Sequence, residues 1–164
     1  MTTGLHQTNR RVVDAAATAG VEIDVRRFPE GTKTSAEAAA AAGCPLSAIA
    51  KSLVFVVESA ESDEPVIAVL SGDHRLDTKK LAAAAGGTKS RRAELDEARS
   101  ATGYAPGGTA VFGLANPLRI FADTGLRRND PIWSAAGTPD AIFPIALADF
   151  ERAVKPIWAY LAQD

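Results

Sequence analysis

The sequence has only one cysteine, Cys44, and two histidines, His6 and His74. A single thiol excludes an intrachain disulfide framework and a structural zinc site built from several thiolates. Two imidazoles are too few for a metal centre made of several histidines, so we expect no metal site. Cys44 lies between Gly43 and Pro45, and we interpret it as a small packed residue rather than a reactive thiol.

Long apolar runs and an excess of positive charge are also absent. No stretch approaches the roughly 18 apolar residues of a membrane span, and residues 1–6 lack the basic and apolar regions of a signal peptide. The formal net charge of −2 argues against a protein that coats DNA or RNA through a basic surface. It leaves room for a local basic patch at the end of one RNA. We expect a cytoplasmic protein that binds neither membranes nor DNA.

The motifs of several common enzyme folds are missing. There is no phosphate-binding loop of the G-x-x-x-x-G-K-[ST] type, no G-x-G-x-x-G after a strand and no G-x-S-x-G nucleophile turn. The composition, 46% hydrophobic and 23% charged residues, is that of a folded domain. A chain of 164 residues buries a sufficient core without a metal or disulfide, so we expect a single domain over residues 1–164.

Helical segments are predicted from apolar spacing and from residues typical of helix ends. Thr34 and Glu37 form a capping box before an alanine run that Gly43 can end, and Asp77 can cap a helix that ends near Gly86. Further helices are predicted over residues 5–20 and 94–98, and a short helical turn is predicted to start at Pro45. The tail is predicted to be helical over residues 147–161, where Pro156 predicts a kink or two short helices.

Strands are predicted where apolar and β-branched residues cluster or alternate. The runs at 52–57 and 65–70 are predicted to be buried and antiparallel, and Pro144 predicts an edge strand at 141–145. The other predicted strands cover residues 21–28, 88–90 and 118–122. Helices mixed with hairpin-linked strands indicate an α+β or mixed α/β fold rather than a doubly wound nucleotide-binding fold.

Lys51, at the start of a buried strand, is the most informative residue for function. An unpaired buried ammonium is costly, so this lysine either reaches solvent or meets a ligand or carboxylate. Asp73 and Asp123 follow later strands and could converge with it on one cleft, although each alone is typical of a turn or cap. His74 could be a base, but a solvated loop histidine is the simpler interpretation. The adjacent Gly107 and Gly108 could let backbone N–H groups approach a ligand.

An ordered set of motifs joins these residues. It comprises TSAEAA at 34–39, IAKSLVF at 49–55, LSGDHRLDTKKL at 70–81, TGYAPGG at 102–108, FG at 112–113 and IFAD at 120–123. The set resembles the YbaK/EbsC family of prolyl-tRNA synthetase-associated domains, with the strongest match over residues 34–149. The resemblance implies a single mixed α/β domain around a curved, largely antiparallel sheet surrounded by helices.

The resemblance also implies an activity, which is hydrolysis in trans of mischarged aminoacyl-tRNA, typically tRNA-Pro carrying Ala or Cys. It implies no metal and no organic cofactor, with the aminoacylated acceptor end of tRNA as partner and prolyl-tRNA synthetase as a candidate partner. The catalytic lysine of the family falls on Lys51. The resemblance further implies a set of substrate-binding residues, which are Ser52, Gly72, Asp73, Gly107, Gly108, Thr109 and Asp123.

This chain departs from the family at Val111, where a proline usually ends the glycine-loop motif. Because proline fixes the backbone, its absence predicts a change in loop shape and pocket size. Two alternatives to the deacylase therefore stay open. One is a non-catalytic module that binds an aminoacyl or nucleotide ligand, and the other is a hydrolase of small aminoacyl esters.

Overall fold

The computed structural model describes residues 5–164, so most of the N-terminal stretch searched for a signal peptide lies outside the described residues. Within that range the chain forms five α-helices, which are α1 Gln7–Thr18, α2 Ser35–Ala42, α3 Thr78–Ala85, α4 Leu95–Thr102 and α5 Leu147–Val154. Short 3-10 helices cover Leu46–Ala48 and Thr124–Arg128. None of the helices over residues 5–164 is long and apolar enough to cross a membrane.

A mixed sheet forms the centre of the described chain. Its eight strands are β1 Arg26–Arg27, β2 Ile49–Glu58, β3 Asp63–Ser71, β4 Lys89–Arg92, β5 Ile120–Asp123, β6 Ile132–Ala135, β7 Ala141–Ile145 and β8 Ile157–Ala159. They are ordered β1-β7-β6-β2-β3-β5-β8, with β4 paired to the far end of β2. Four pairings are antiparallel and three are parallel. The predicted mixed α/β fold is confirmed.

The local signals for helix ends are also confirmed. The Thr34 hydroxyl accepts a hydrogen bond from Glu37 N, and the Glu37 carboxylate accepts one from Thr34 N. Gly43 ends α2 in the left-handed conformation that favours glycine. Asp77 caps α3, and Gly86 ends it in the same way. These pairs are close in sequence, so short-range chemistry determines them.

Three predictions about longer-range pairing are wrong. Of the segment 21–28, only Arg26 and Arg27 pair with a neighbour, because β7 offers this segment just two residues. Strand β7 is not an edge strand, because β6 pairs along one side of it and β1 pairs with Ala141 and Ile142 on the other side. Pro144 lies beyond the end of β1 and pairs only with β6. After Pro156 the tail forms β8 beside β5 rather than a second helix. Strand β6 has no counterpart among the predicted elements.

The core lies on both faces of β2 and β3. Ala50, Ile67 and Val69 point to the face packed by α1, α5 and the segment 110–112. Phe55 and Leu70 point to the opposite face, together with Leu81 of α3 and the partly buried Leu53. Side chains alternate between the two faces of a strand, so Lys51 shares the α3 side with Leu53. On that side, near the start of β2, Ala38 and Ala39 of α2 pack against Ile49 and Trp133.

Candidate functional site

A cavity of about 340 Å³ lies beside β2, in the gap between β6 and β4. Within β2, β6 pairs only with Ile49 and Ala50, and β4 pairs only with residues 55–58, so residues 51–54 of β2 border the gap. The lining residues come from five segments of the chain. They are Thr32, Lys33, Thr34, Ser35, Ala38; Ile49, Ala50, Lys51, Ser52, Leu53, Val54; Arg92, Ala93, Leu95, Ala98; Pro106, Gly107, Thr109; and Trp133, Ala135, Ile142.

The lining carries positive charge. Lys33, Lys51 and Arg92 contribute three cations, and the lining within residues 5–164 contains no aspartate or glutamate. Neither Lys33 nor Arg92 has an ion-pair partner in the described part of the chain. A protein whose net charge is −2 therefore presents a local cationic pocket, which suits an anionic ligand.

Lys51 is partly buried at the cavity, and its Nζ donates a hydrogen bond to the carbonyl oxygen of His74. Burial lowers the pKa of Lys51, and the positive charge of Arg75 lowers it further. The negative charge of Asp73 acts in the opposite direction and raises the Lys51 pKa. The ammonium is held by a backbone oxygen and not by a carboxylate, so its charge is free to act on a ligand.

The loop that follows α4 supplies the wall facing Lys33. Gly107 has φ +84°, and a Cβ atom at this position would lie 2.8 Å from Cγ of Lys33. At Gly108 a Cβ atom would lie 2.8 Å from backbone atoms of Thr138. Gly107 and Thr109 line the cavity, whereas Gly108 is buried behind it against the turn before β7. Each glycine thus permits a close approach that a side chain would obstruct.

Gly72 and Asp73 form the turn after β3 and lie outside the cavity lining. A Cβ atom at Gly72 would lie 2.7 Å from the carbonyl oxygen of Leu46, so the glycine allows the 3-10 helix before β2 to pack here. Asp73 is bound by Arg128 through two hydrogen bonds of 2.8 and 3.2 Å. The hydrogen bond from Arg128 is the main cause that lowers the pKa of Asp73. The substrate-binding roles of both residues stay predictions.

Asp123 is buried and fully engaged within the protein. One carboxylate oxygen accepts hydrogen bonds from Leu161 N at 2.7 Å and Ala162 N at 3.2 Å. The other accepts from Gly125 N at 3.0 Å and lies 3.4 Å from Nδ1 of His74. Asp123 thus joins the C-terminal segment to the turn whose carbonyl holds Lys51. It reaches Lys51 only through His74, and its direct role in substrate binding stays a prediction.

Sequence reasoning did not single out several residues of the site. Arg92 belongs to one of several basic stretches, of which most are typical of a solvated surface and one or two could contact phosphates of an RNA end. Lys33 precedes the capping box without any motif of its own. Leu95 lies at the cavity with 63% of its surface exposed, and Trp133 lies in the unpredicted strand β6. Val111, where the family has proline, is buried in the core and does not line the cavity.

The arrangement offers cations, backbone groups and hydroxyls, and no metal-binding cluster. Within residues 5–164 no three His, Cys, Asp or Glu side chains come together as metal ligands. Cys44, the lone thiol, is partly buried against the α2 cluster, and burial raises its pKa. A raised pKa disfavours the thiolate at neutral pH. The chemistry of the cavity therefore depends on positioning and on positive charge.

Comparison with known proteins agrees with this geometry. Residues 29–153 match the aminoacyl-tRNA editing domain family. The uncharacterized protein YwhH of Bacillus subtilis (strain 168) is 32% identical over 146 residues, 87% of this chain and 89% of that protein. The multifunctional Ser/Thr-tRNA deacylase ProXp-y of Escherichia coli (strain K12) is 31% identical over 115 residues, 70% of this chain and 69% of that protein.

A solved structure extends the likeness to the whole fold. The crystal structure of a candidate trans-editing enzyme for prolyl-tRNA synthetase superposes with a TM-score of 0.89 at 33% identity. It covers 98% of this chain and all of that one. The family match over residues 29–153 includes residues 34–149, where the resemblance carried by the motifs is strongest. The chain therefore belongs to the aminoacyl-tRNA editing domain family and is an enzyme of the aminoacyl-tRNA deacylase class.

Proposed function

We propose that the protein edits in trans, hydrolysing tRNA-Pro that carries a small non-cognate amino acid such as alanine or cysteine. One observation supports this most directly: Lys51, Gly107 and Thr109 line the same cationic cavity. A phosphate-bearing acceptor end matches that charge, and a small aminoacyl group fits a cavity of about 340 Å³. Charged tRNA is a cytoplasmic substrate, and prolyl-tRNA synthetase is the partner we propose for delivering it.

The reaction requires little from the protein beyond positioning and charge stabilisation. A water oxygen adds to the ester carbonyl carbon, and the bond from that carbon to the terminal ribose oxygen then breaks. The ribose oxygen takes up a proton, which leaves a free amino acid and an uncharged tRNA. The cavity lining described here holds neither histidine nor carboxylate. We therefore assign activation of the water to the neighbouring ribose hydroxyl of the substrate.

The roles of the chain's own residues follow from their positions. The Lys51 ammonium, half-buried and held by a carbonyl oxygen, stabilises the negative charge that develops on the substrate or binds a terminal phosphate. In the stretch Gly107 to Thr109, the backbone N–H groups of Gly107 and Thr109 hold the ester carbonyl or the aminoacyl group, because Gly108 N–H donates to the Ala105 carbonyl and Gly108 does not line the cavity. Selectivity for small amino acids then depends on the size of the cavity. A pocket of this kind separates amino acids that differ by one methylene only about 10- to 200-fold.

A panel of mischarged tRNAs tests the proposal. We expect hydrolysis of tRNA-Pro carrying alanine or cysteine, and loss of that activity in Lys51→Ala. Lys79→Ala is the matched control, because Lys79 is an exposed lysine outside the cavity. Far-ultraviolet circular dichroism checks that both variants remain folded.

The same panel separates the alternatives. Binding of aminoacyl-tRNA without hydrolysis of any member would indicate a binding module. Equal turnover of aminoacyl-tRNA and of a small aminoacyl ester that lacks the tRNA body would indicate a small-ester hydrolase. Wild-type turnover in Lys51→Ala would remove Lys51 from the mechanism.

A further inference from the structure

The edge of β2 that faces the cavity lacks a partner strand over a short stretch. On its other edge β2 pairs with β3 from Ala50 to Glu58 without interruption. On the cavity edge β6 stops at Ala50, and β4 starts at Phe55. In the described part of the chain, residues 51–54 therefore border open space where a strand would otherwise lie.

The direction of the backbone groups along this stretch follows from two hydrogen bonds. The carbonyl oxygen of Ile49 accepts from Gly72 N on the β3 side, and that of Val54 accepts from Ala93 N on the β4 side. In an antiparallel pair successive residues direct their N–H and C=O groups to opposite edges. The N–H and C=O groups of Ser52 and the N–H group of Val54 therefore point into the gap.

The residues that carry these groups line the cavity. Val54 is only 8% exposed, and Ser52 is partly buried. The Ser52 hydroxyl is itself buried and has no hydrogen-bond partner within residues 5–164. An unsatisfied buried polar group costs roughly 1–3 kcal/mol, so such groups are rare unless water or a ligand completes them. An unpartnered hydroxyl beside backbone groups without a partner strand indicates a place where a ligand binds.

The charges of the lining indicate which ligand group pairs with the Ser52 carbonyl. An aminoacyl ester carries an α-ammonium group, and the described lining offers it three cations and no carboxylate. Only uncharged oxygens remain as acceptors. The Thr34 hydroxyl both donates to and accepts from Glu37. The Thr32 hydroxyl donates to the Pro139 carbonyl and keeps its acceptor capacity, so it is included in the test. The Ser52 carbonyl is free and fixed in direction by the sheet.

We infer that the open edge of β2 is the aminoacyl subsite, in which the Ser52 carbonyl oxygen accepts a hydrogen bond from the α-ammonium group. The inference rests on the proposed function and adds the atom that recognises an amino acid as opposed to another acyl group. The gap spans residues 51–54 and is too short for an extended peptide to add as a strand, which favours a single aminoacyl residue as occupant.

A backbone substitution tests this atom directly. Replacing Leu53 by its α-hydroxy acid turns the 52–53 peptide bond into an ester, which weakens the Ser52 carbonyl as an acceptor. It also removes the Leu53 N–H that points to β3. The matched control replaces Phe55 by its α-hydroxy acid. That change also removes an N–H on the β3 side, but it weakens the Val54 carbonyl, which is already bound to Ala93.

The measurement is kcat/KM for the preferred aminoacyl-tRNA and for the same tRNA carrying the des-amino acyl group, each divided by its uncatalysed hydrolysis rate. We expect the wild-type protein to prefer the aminoacyl ester about 10- to 100-fold, as for a hydrogen bond to a charged group. The Leu53 ester should reduce this preference at least about fivefold, and the Phe55 ester should retain it. A general loss of structure would lower both rates and leave their ratio unchanged.

Two results would overturn the inference while the proposed function stands. One is hydrolysis of both esters with no preference, and the other is an unchanged preference in the Leu53 ester. Thr32→Val, Ser35→Ala, Ser52→Ala and Thr109→Val extend the test to the other hydroxyls of the lining, and loss of the preference in any one of them would assign the ammonium to that hydroxyl instead. If no member of the panel is hydrolysed by the wild-type protein, the proposed function itself fails.

Discussion

At the level of single residues, Lys51, the proposed catalytic lysine, carries a charge that has a cost in stability. Its pKa is lowered in the folded protein by burial, and the neighbouring Arg75 lowers it further. The unfolded chain therefore binds this proton more tightly than the folded one at pH values between the lowered pKa and the ordinary lysine value of about 10.4. Below that interval the charge destabilises the fold, and above it the penalty is gone.

We therefore expect Lys51→Met, which keeps most of the apolar stem, to raise the thermal unfolding temperature at pH 7 while abolishing deacylation. The advantage over the wild-type protein should shrink as the pH rises towards about 10.4, because the wild-type lysine then becomes neutral in both states. Calorimetry at a series of pH values measures the difference. A variant that is less stable than wild type at pH 7 would show that the bond to the His74 carbonyl outweighs the cost of burial.

At the level of elements, the capping of helix α2 affects the shape of the cavity wall. Thr34, Ser35 and Ala38 line the cavity, and the capping box with Glu37 fixes the first turn of the helix. Glu37 itself does not line the cavity. A substitution at Glu37 therefore changes the wall without changing any group that faces the substrate.

Glu37→Ala should lower the free energy of unfolding by less than the roughly 0.5–2 kcal/mol cost of a lost N-cap, because the Thr34 hydroxyl still accepts from the backbone N–H of position 37. It should also raise KM for aminoacyl-tRNA more than it lowers kcat. Glu37→Gln is the control, because an amide oxygen can still accept from Thr34 N and complete a capping box. Denaturant unfolding and steady-state kinetics measure the two effects. If Glu37→Ala is clearly destabilised but its KM is unchanged, the capping box has no influence on substrate binding.

Prediction from the sequence was accurate for elements that local chemistry determines. The capping residues Thr34 and Asp77 and the end of α2 at Gly43 follow from contacts within four residues. The pairing of β8 with β5 and of β1 with β7 joins segments that lie far apart. The tail that contains β8 has apolar residues at helical spacing, and the alternation over residues 21–28 predicts a longer strand than β1. Non-local hydrogen bonds determine these elements, and no local pattern encodes them.

The residues of the candidate site also divide into those that sequence motifs predict and those that only the fold brings to the cavity. Lys51, Ser52, Gly107 and Thr109 were predicted from motifs, and they share one cavity. Lys33, Arg92 and Trp133 reach that cavity only through the sheet order β7-β6-β2 and the pairing of β4 with β2. A single basic residue in a sequence carries no sign of the neighbours that the fold gives it.

At the level of the whole molecule, charge is distributed unevenly. The net charge is −2, yet the lining of the cavity within residues 5–164 is purely cationic. Lys33 and Arg92 have no ion-pair partners in the described chain, and we expect them to neutralise phosphates of an acceptor end while Lys51 acts at the aminoacyl group.

Lys33→Gln and Arg92→Gln should each raise KM for aminoacyl-tRNA and reduce the salt dependence of log KM by about 0.7, the value for one contact to a single strand. Neither should change turnover of an aminoacyl-adenosine that lacks phosphates. Lys79→Gln serves as the control, because this lysine lies outside the cavity. Kinetics between 50 and 200 mM salt, a range of about fourfold, measures the slopes. Slopes equal to that of the control would show that these cations do not contact the RNA.

Trp133 gives the cavity a natural optical probe. Its indole is part of the lining, only 8% exposed, and the guanidinium of Arg26 lies 5.1 Å from the ring centroid. The chain has one other tryptophan, Trp158, which lies under Arg127 and beside Phe150, away from the lining. With Trp158 replaced by phenylalanine, ultraviolet emission comes from a single indole. Occupancy of the pocket can then be followed in real time without attaching a dye.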